Sequence, residues 1–135
     1  MTIVPSAGPL LALMLAMQGG QGDRPAGRIQ WDALPQLDFR VPLTIAPEMT
    51  AYVAGESRSG RCPPPAIEGG RSVVRADVAV LVQDGMVRAT IPHAIDCVTV
   101  EQYAAGIVVS YARNNLTQRM ARTTGWYRAT LVFEW

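Results

Sequence analysis

The sequence contains no lysine and a single histidine, and its charges nearly cancel. Twelve basic residues, all arginine, stand against eleven acidic ones, which gives a net charge of +1 at pH 7. A balance this close to zero excludes the strong basic field by which proteins attract nucleic acid or an anionic membrane surface. With His93 as the one histidine, the spacing of the two cysteines matches no common zinc pattern. No nucleic-acid partner, no metal and no other cofactor is therefore predicted.

Long apolar runs are also missing. The stretch from Leu10 to Met17, within residues 1–22, carries no charge, but it is shorter than the roughly 20 residues that cross a bilayer as a helix. It is followed by the small residues Gly20 and Gly22, as in an export signal, although no lysine or arginine precedes it. We expect residues 1–22 to be a signal peptide. A retained inner-membrane anchor and an intracellular segment are the alternatives.

Cysteine is scarce, and the two present are Cys62 and Cys97. In an exported protein such a pair is typical of a structural disulfide. Closing a loop of roughly 35 residues stabilises a domain by about 4 kcal/mol on the chain-entropy model. Two buried free thiols and a metal site are the competing interpretations. We predict the disulfide.

No arrangement of residues indicates a reaction. His93, Asp96 and Cys97 suggest a nucleophilic site, but a cysteine in a disulfide has no thiolate to offer. The sequence also has neither a serine elbow nor a glycine-rich phosphate loop. We therefore expect a protein that is not an enzyme and has no catalytic residue.

Alternation of apolar and polar residues predicts two strands joined by a tight turn. Residues 72–82 form the first strand, with a valine-rich face, and residues 86–91 return after Asp84 and Gly85. An Asp-Gly pair between strands is a strong hairpin signal, because a two-residue turn of this type needs positive φ at both positions. The hairpin is expected to end at Pro92, which has no N–H to donate.

Helical spacing of apolar residues predicts a helix over residues 99–114, with Thr99 and Gln102 in the form of a capping box. A shorter helix over residues 47–59 is predicted from Pro47 at its start and Gly60 at its end. Residues 126–135 alternate like a last strand. Together these elements predict an α+β fold, a small two-layer domain with a three-stranded antiparallel sheet.

Composition divides the chain into three parts. After residues 1–22 comes a proline-containing segment, residues 23–43, which also carries large apolar side chains at Trp31, Leu34, Leu37 and Phe39. This segment is expected to be either a spacer or an N-terminal arm that packs on the domain. Residues 44–135 are predicted to form the domain itself.

From about Pro47 to Trp135 the chain resembles the C-terminal domain of TonB-type energy transducers. The resemblance lies in the order of a short helix, a proline-containing segment, a small-residue turn at Glu68-Gly69-Gly70, the valine-rich hairpin, the amphipathic helix and the terminal strand. It implies a non-enzymatic periplasmic domain linked to TonB-dependent transport. Such a domain binds an extended peptide or partner strand of an envelope protein.

The resemblance also implies where the partner binds. These domains pair an exposed strand edge with a peptide, and residues 126–135 are the matching element. The predicted partner-binding edge consists of Trp126, Arg128, Thr130, Val132 and Glu134. Membrane contact is expected only through the partner or through an uncleaved leader. Pairing of two copies into a homodimer is left open.

Two features of the transducers are missing from the sequence: a membrane-spanning helix and a long proline-rich spacer. No proline follows Arg113 after the long helix either. The resemblance therefore indicates a relative of the transducers. The alternatives are a small envelope ligand-binding protein or enzyme that uses an aromatic patch of Trp126, Tyr127 and Trp135, and an inhibitor or structural subunit of an envelope complex.

Overall fold

The computed structural model describes residues 28–135, so the predicted signal peptide lies outside the described residues. A short 3-10 turn, Trp31–Ala33, comes first. The helices are α1 (Pro47–Arg58), α2 (Val98–Ala112) and α3 (Gln118–Ala121), and the strands are β1 (Ala66–Glu68), β2 (Arg71–Gln83), β3 (Met86–Pro92) and β4 (Gly125–Glu134). Within the described part of the chain, no helix has the length and apolar character needed to cross a membrane.

The strands form one antiparallel sheet around β2. Strand β4 pairs with β2 over ten residues, from Val73 opposite Glu134 to Val82 opposite Gly125. On its other side β2 pairs with β1 near its start and with β3 near its end. The α+β architecture is confirmed, but the described sheet has four strands rather than the predicted three. The missed strand, β1, is only three residues long and depends on the Gly69-Gly70 turn.

Both hairpin turns use backbone conformations that glycine adopts most readily. In the turn between β2 and β3, Asp84 has φ of 51° and Gly85 has φ of 74°, which agrees with the predicted two-residue turn. Gly85 is required for a second reason. A Cβ at this position would lie 3.0 Å from the Cα of Ala121 in α3. The turn is therefore packed against α3.

The core lies between one face of the sheet and the two longer helices. Val78, Val80 and Val82 of β2 are completely buried there, as are Leu131 and Phe133 of β4. The inward side chains of α2 complete this core: Val100, Ala104, Ile107 and Val108. The valine-rich strand and the amphipathic helix thus bury each other's apolar faces, as their sequence periodicity predicts.

The start of α2 differs from the predicted capping box. Cys97, not Thr99, precedes the first helical residue. The Thr99 hydroxyl donates to the Glu56 carboxylate of α1 at 2.7 Å, and the Glu101 carboxylate accepts from the backbone N–H groups of Ile95 and Cys97 at 3.1 and 3.0 Å. The capping box is wrong because Thr99 already lies inside the helix, where its hydroxyl reaches a neighbouring helix instead.

The described residues before α1 pack on the domain. Leu37 is 6% exposed and belongs to the core cluster, and Phe39 contacts the ring of Tyr111 edge to face at 6.1 Å between centroids. Farther upstream, the ring of Trp31 stacks on His93 at 4.4 Å between centroids. We call residues 30–41 the arm. Leu37 and Phe39 of this arm contact the core of the domain.

Candidate functional site

The outer edge of β4 is the element that the sequence analysis selects as a partner-binding edge. Successive residues of an antiparallel strand direct their backbone N–H and C=O groups to alternate sides. Trp135 exchanges two hydrogen bonds with Ser72 of β2, whereas both backbone groups of Arg128 bond away from β2. Odd-numbered residues of β4 therefore pair with β2, and even-numbered residues direct their backbone groups to the outer edge.

The arm already occupies part of this edge. The N–H of Arg128 donates to the carbonyl oxygen of Pro35, and the N–H of Leu37 donates to the carbonyl oxygen of Arg128, both at 2.8 Å. Gln36 lies opposite Arg128 in a parallel bridge. The arm thus makes an isolated β-bridge to β4, and both backbone groups of Arg128 are satisfied within the chain.

Side chains reinforce this contact around the Arg128 guanidinium. With its amide oriented by these contacts, the Gln36 oxygen accepts from Nε and Nη2 of Arg128 at 3.2 and 3.0 Å. The Asp32 carboxylate lies 3.8 Å from Nη1. Beyond the edge, Thr117 donates its hydroxyl to Asp38 at 2.9 Å, and the Asn115 amide bonds both backbone groups of Val41. The arm is therefore fixed from Asp32 to Val41.

Past Arg128 the edge of β4 is open. In the part of the chain that the structure describes, the outward backbone groups of Thr130, Val132 and Glu134 have no backbone partner. These three donors and three acceptors extend over about 13 Å at the usual rise of an antiparallel strand. An open, regular edge of this kind is a template for another strand.

The side chains of the open residues lie on the far face, which is the face of the sheet opposite α1 and α2. The Thr130 hydroxyl donates to the carboxylate of Asp77, its cross-strand neighbour on β2. Glu134 lies 3.9 Å from the Arg71 guanidinium, and Val132, opposite Arg75, is half-buried. An added strand would meet one apolar and two polar side chains on this face.

The predicted aromatic patch, which consists of Trp126, Tyr127 and Trp135, does not form one surface in the structure. Trp126 lies opposite Leu81 at the start of the strand, on the far face. Tyr127 and Trp135 are on the helix side, where both pack against the core, and the Tyr127 hydroxyl donates to Thr123 at 3.0 Å. The alternation of the strand thus places the aromatic residues on opposite faces, which removes the geometric basis for a ligand site made of all three.

The predicted disulfide between Cys62 and Cys97 is confirmed, with a Cα–Cα distance of 4.7 Å. Beside it, the carboxylate of Glu56, a residue only 7% exposed, binds Arg61 at 3.0 Å as well as Thr99. The bond joins the segment after α1 to the start of α2. It also removes Cys97 as a nucleophile, while the His93 ring is stacked on Trp31 rather than directed at a thiol.

The described residues contain no group of three or more His, Cys, Asp or Glu side chains that could hold a metal ion. A cavity of about 150 Å³ adjoins the disulfide and the three prolines that follow Cys62. Its wall includes Ser57, whose buried hydroxyl has no hydrogen-bond partner among the residues that the structure describes.

Sequence reasoning missed the role of the arm in the site. The apolar residues Leu37 and Phe39 signal that the segment packs on the domain, but nothing local indicates that Pro35 and Leu37 bond to Arg128. The partner is distant in the chain, so only the folded structure brings the two together.

Comparison with known proteins gives no relative from which a role could be transferred. No protein-family model matches the chain, and neither a curated protein nor a solved structure matches it. The class that the structure defines is therefore a small, disulfide-bonded α+β domain with one partly occupied sheet edge.

Proposed function

We propose that the chain is a non-enzymatic, TonB C-terminal-like interaction domain of the periplasm, which binds an extended peptide or partner strand of an envelope protein. The observation that carries this proposal is the outer edge of β4. The arm already bridges this edge at Arg128, and within the described residues the outward backbone groups of Thr130, Val132 and Glu134 have no backbone partner. The resemblance to the transducers makes an outer-membrane transporter the expected partner class.

Binding by strand addition divides affinity and selectivity between backbone and side chains. The six outward backbone groups supply main-chain hydrogen bonds that any extended sequence can make. Selectivity comes from the side chains that flank the added strand, which on the far face are Thr130, Val132 and Glu134. A partner segment of about five residues fits the open length, since each strand residue rises about 3.3 Å.

The disulfide supports a location outside the cytoplasm. A bond between Cys62 and Cys97 forms and persists where the surroundings are oxidising, outside the cytoplasm. The periplasm is the compartment in which a strand-adding domain could meet an outer-membrane protein. The disulfide supports this placement of the proposed function.

The arm limits what the edge can accept. A partner strand that extends past Thr130 towards Arg128 must displace Pro35 and Leu37 from their two hydrogen bonds. It would also have to withdraw Leu37 from the core, which is costly because the side chain is buried. The arm therefore acts as a stop at one end of the proposed site.

Amide hydrogen exchange with a captured envelope protein tests the proposal at single residues. In the unbound protein, the amides of Thr130, Val132 and Glu134 should exchange faster than those of Ala129, Leu131 and Phe133, which bond to β2. On binding, the three fast amides should become protected. Protection that appears elsewhere and leaves these three unchanged would contradict strand addition at β4.

A proline substitution separates the edge from the fold. Val132→Pro removes an outward N–H without removing a β2–β4 hydrogen bond, so the sheet should be retained while binding is lost. Val132→Ala keeps the N–H and should keep binding. Thr90→Pro, which makes the same change on the outer edge of β3, is the matched control. Binding that survives Val132→Pro would overturn the proposal.

A further inference from the structure

A second surface lies at the other end of the sheet, around the β2–β3 turn. An open groove of about 560 Å³ is lined by this turn, the last turn of α2, the end of α3 and the arm. Its apolar walls are formed by Met86, Val87, Val109, Ala112, Leu116 and Ala121. The volume lies within the range of small-molecule sites. Two of the lining side chains, Met86 and Val109, are large, hydrophobic and exposed to solvent, with exposed fractions of 51% and 39%.

The charged residues of this groove all have one sign. Arg40 of the arm and Arg113 at the end of α2 line it, and none of the described lining residues is acidic. Arg40 donates through Nη2 to the carbonyl oxygen of Asn114, which orients its guanidinium at the rim. Among the described residues, Arg113 has no ion-pair or hydrogen-bond partner for its side chain. The net charge of +1 for the whole chain conceals this local imbalance.

The groove is separate from the β4 edge. Gly125, at the start of β4, pairs with Val82 beside the turn, whereas Glu134 pairs with Val73 at the far end of β2. The open run from Thr130 to Glu134 therefore lies towards the opposite end of the sheet from the groove. A ligand in the groove would not occupy the proposed partner site, so the two sites can be tested independently.

We infer that this groove binds a single-chain anionic amphiphile, that is, an alkyl chain with a carboxylate or phosphate head. The alkyl chain lies along the apolar walls, because burial of both surfaces removes them from water. The head group meets Arg40 and Arg113, since a guanidinium forms charge-assisted hydrogen bonds with either anion. The two arginines thus favour an anionic head group, and the apolar walls favour an alkyl tail.

Titration with dodecyl phosphate, below its micelle concentration, tests this inference on the whole chain. Isothermal titration calorimetry should report saturable binding, and amide NMR shifts should centre on Val87, Val109 and Leu116. Inorganic phosphate tests the head alone, and dodecyltrimethylammonium tests the same tail with the opposite charge. Both should bind at least about tenfold more weakly than dodecyl phosphate. Equal affinity for the cationic and anionic amphiphiles would overturn the inference.

Substitutions identify the groove itself. Arg113→Gln should weaken binding of dodecyl phosphate by about tenfold, and Val109→Asp should abolish it. Arg58→Gln alters an exposed arginine at the end of α1, outside the groove, and should leave the affinity unchanged. Thermal unfolding of each variant checks that the fold is intact. If Arg113→Gln binds as tightly as the parent chain, the inference is wrong.

Vesicles distinguish a single bound molecule from a membrane surface. If monomeric dodecyl phosphate binds in the groove, it should reduce any binding of the protein to phosphatidylglycerol vesicles. Binding to such vesicles without any binding of the monomeric amphiphile would overturn the inference in favour of a surface contact. Because the Val132→Pro variant alters only the β4 edge, it should bind dodecyl phosphate normally whether or not strand addition is correct.

Discussion

The two outer edges of the sheet, on β3 and on β4, are protected by different means. The register between β2 and β3 shifts between Leu81 and Val82, which leaves Arg88 as an extra residue in β3. The same strand ends in Pro92, which has no N–H, and the loop that follows leads directly into the disulfide at Cys97. A bulge, an arginine and a proline are the devices by which natural proteins prevent unwanted strand pairing.

Strand β4 has an arginine, Arg128, on its outer edge, but neither a bulge nor a proline. Its register with β2 runs without a shift over ten residues, and it contains no proline. Its protection is the arm, which is held at Arg128 by two backbone hydrogen bonds and ends there. The β3 edge is thus protected by features of its own sequence and by the disulfide-linked loop that follows it. The β4 edge is covered only in part, by a non-covalent contact with the arm. The edge that remains regular is the one that can accept a strand.

The largest expected effect comes from removing the disulfide beyond the β3 edge. Replacing both Cys62 and Cys97 with alanine removes a link between residues 35 apart in sequence and should lower the free energy of unfolding by about 4 kcal/mol. Urea denaturation of the variant and the parent chain measures the difference. The exported protein should also change mobility between non-reducing and reducing gels. If the variant and the parent chain have the same urea unfolding midpoint, the bond adds nothing to stability.

The contact of the arm with the β4 edge is tested by Leu37→Ala. The substitution truncates a side chain that is 6% exposed in the core cluster and should cost about 2–5 kcal/mol. The Arg128 N–H donates to the carbonyl oxygen of Pro35, two residues before Leu37, so a loosened arm should let the Arg128 amide exchange faster in this variant. Val41→Ala, at an exposed position of the same arm, is the control and should stay within about 0.5 kcal/mol. Equal destabilisation by the two variants would contradict an arm anchored at Leu37.

A smaller effect is expected at the open part of β4. Thr130→Val keeps the shape of the side chain but removes its hydrogen bond to Asp77, and should cost about 1 kcal/mol. Thr90→Val, on β3, is the counterpart, and Thr90 has no side-chain hydrogen bond within the described part of the chain. Denaturation curves of the two variants should therefore separate. If they coincide, the Asp77 contact does not distinguish the β4 edge from the β3 edge.

The smallest effect concerns the ion pair beside the β1 turn. Arg75 donates two hydrogen bonds to Glu68, at 2.7 and 3.0 Å, and these lower the pKa of the Glu68 carboxyl from its ordinary value of 4.5. Since the pKa is lowered in the folded state, the contribution is present above pH 4.5 and is lost as the pH falls through the folded value. Thermal midpoints of the parent chain and Glu68→Gln should differ slightly at neutral pH and converge in acid. A difference that grows below pH 4 would reverse the sign of this contribution.

Elements with strong local signals could be predicted from the sequence. The long strand, the Asp84-Gly85 turn, the amphipathic helix and the last strand depend on periodicity and turn chemistry that a few neighbouring residues carry. The disulfide followed from compartment and cysteine number. The outward side-chain positions of Thr130 and Glu134 also follow from simple alternation along β4.

Features that depend on distant contacts could not be predicted in this way. Strand β1 exists because Ala66 meets Val73 across a glycine turn, and three residues are too few to show a period. The occupied part of the β4 edge depends on Pro35 and Leu37 reaching Arg128. The groove combines Arg40 with Arg113, whose charges add only after folding. In each case the missing information was which separate segments meet, not what any one segment prefers.

The contact between the arm and β4 also sets the length of the open edge. The two backbone groups of Arg128 bond to Pro35 and Leu37 on the side away from β2. Release of the arm from these two bonds would therefore break no hydrogen bond between β2 and β4. It would add the N–H and C=O groups of Arg128 to those of Thr130, Val132 and Glu134, so that the free edge would begin one outward residue earlier.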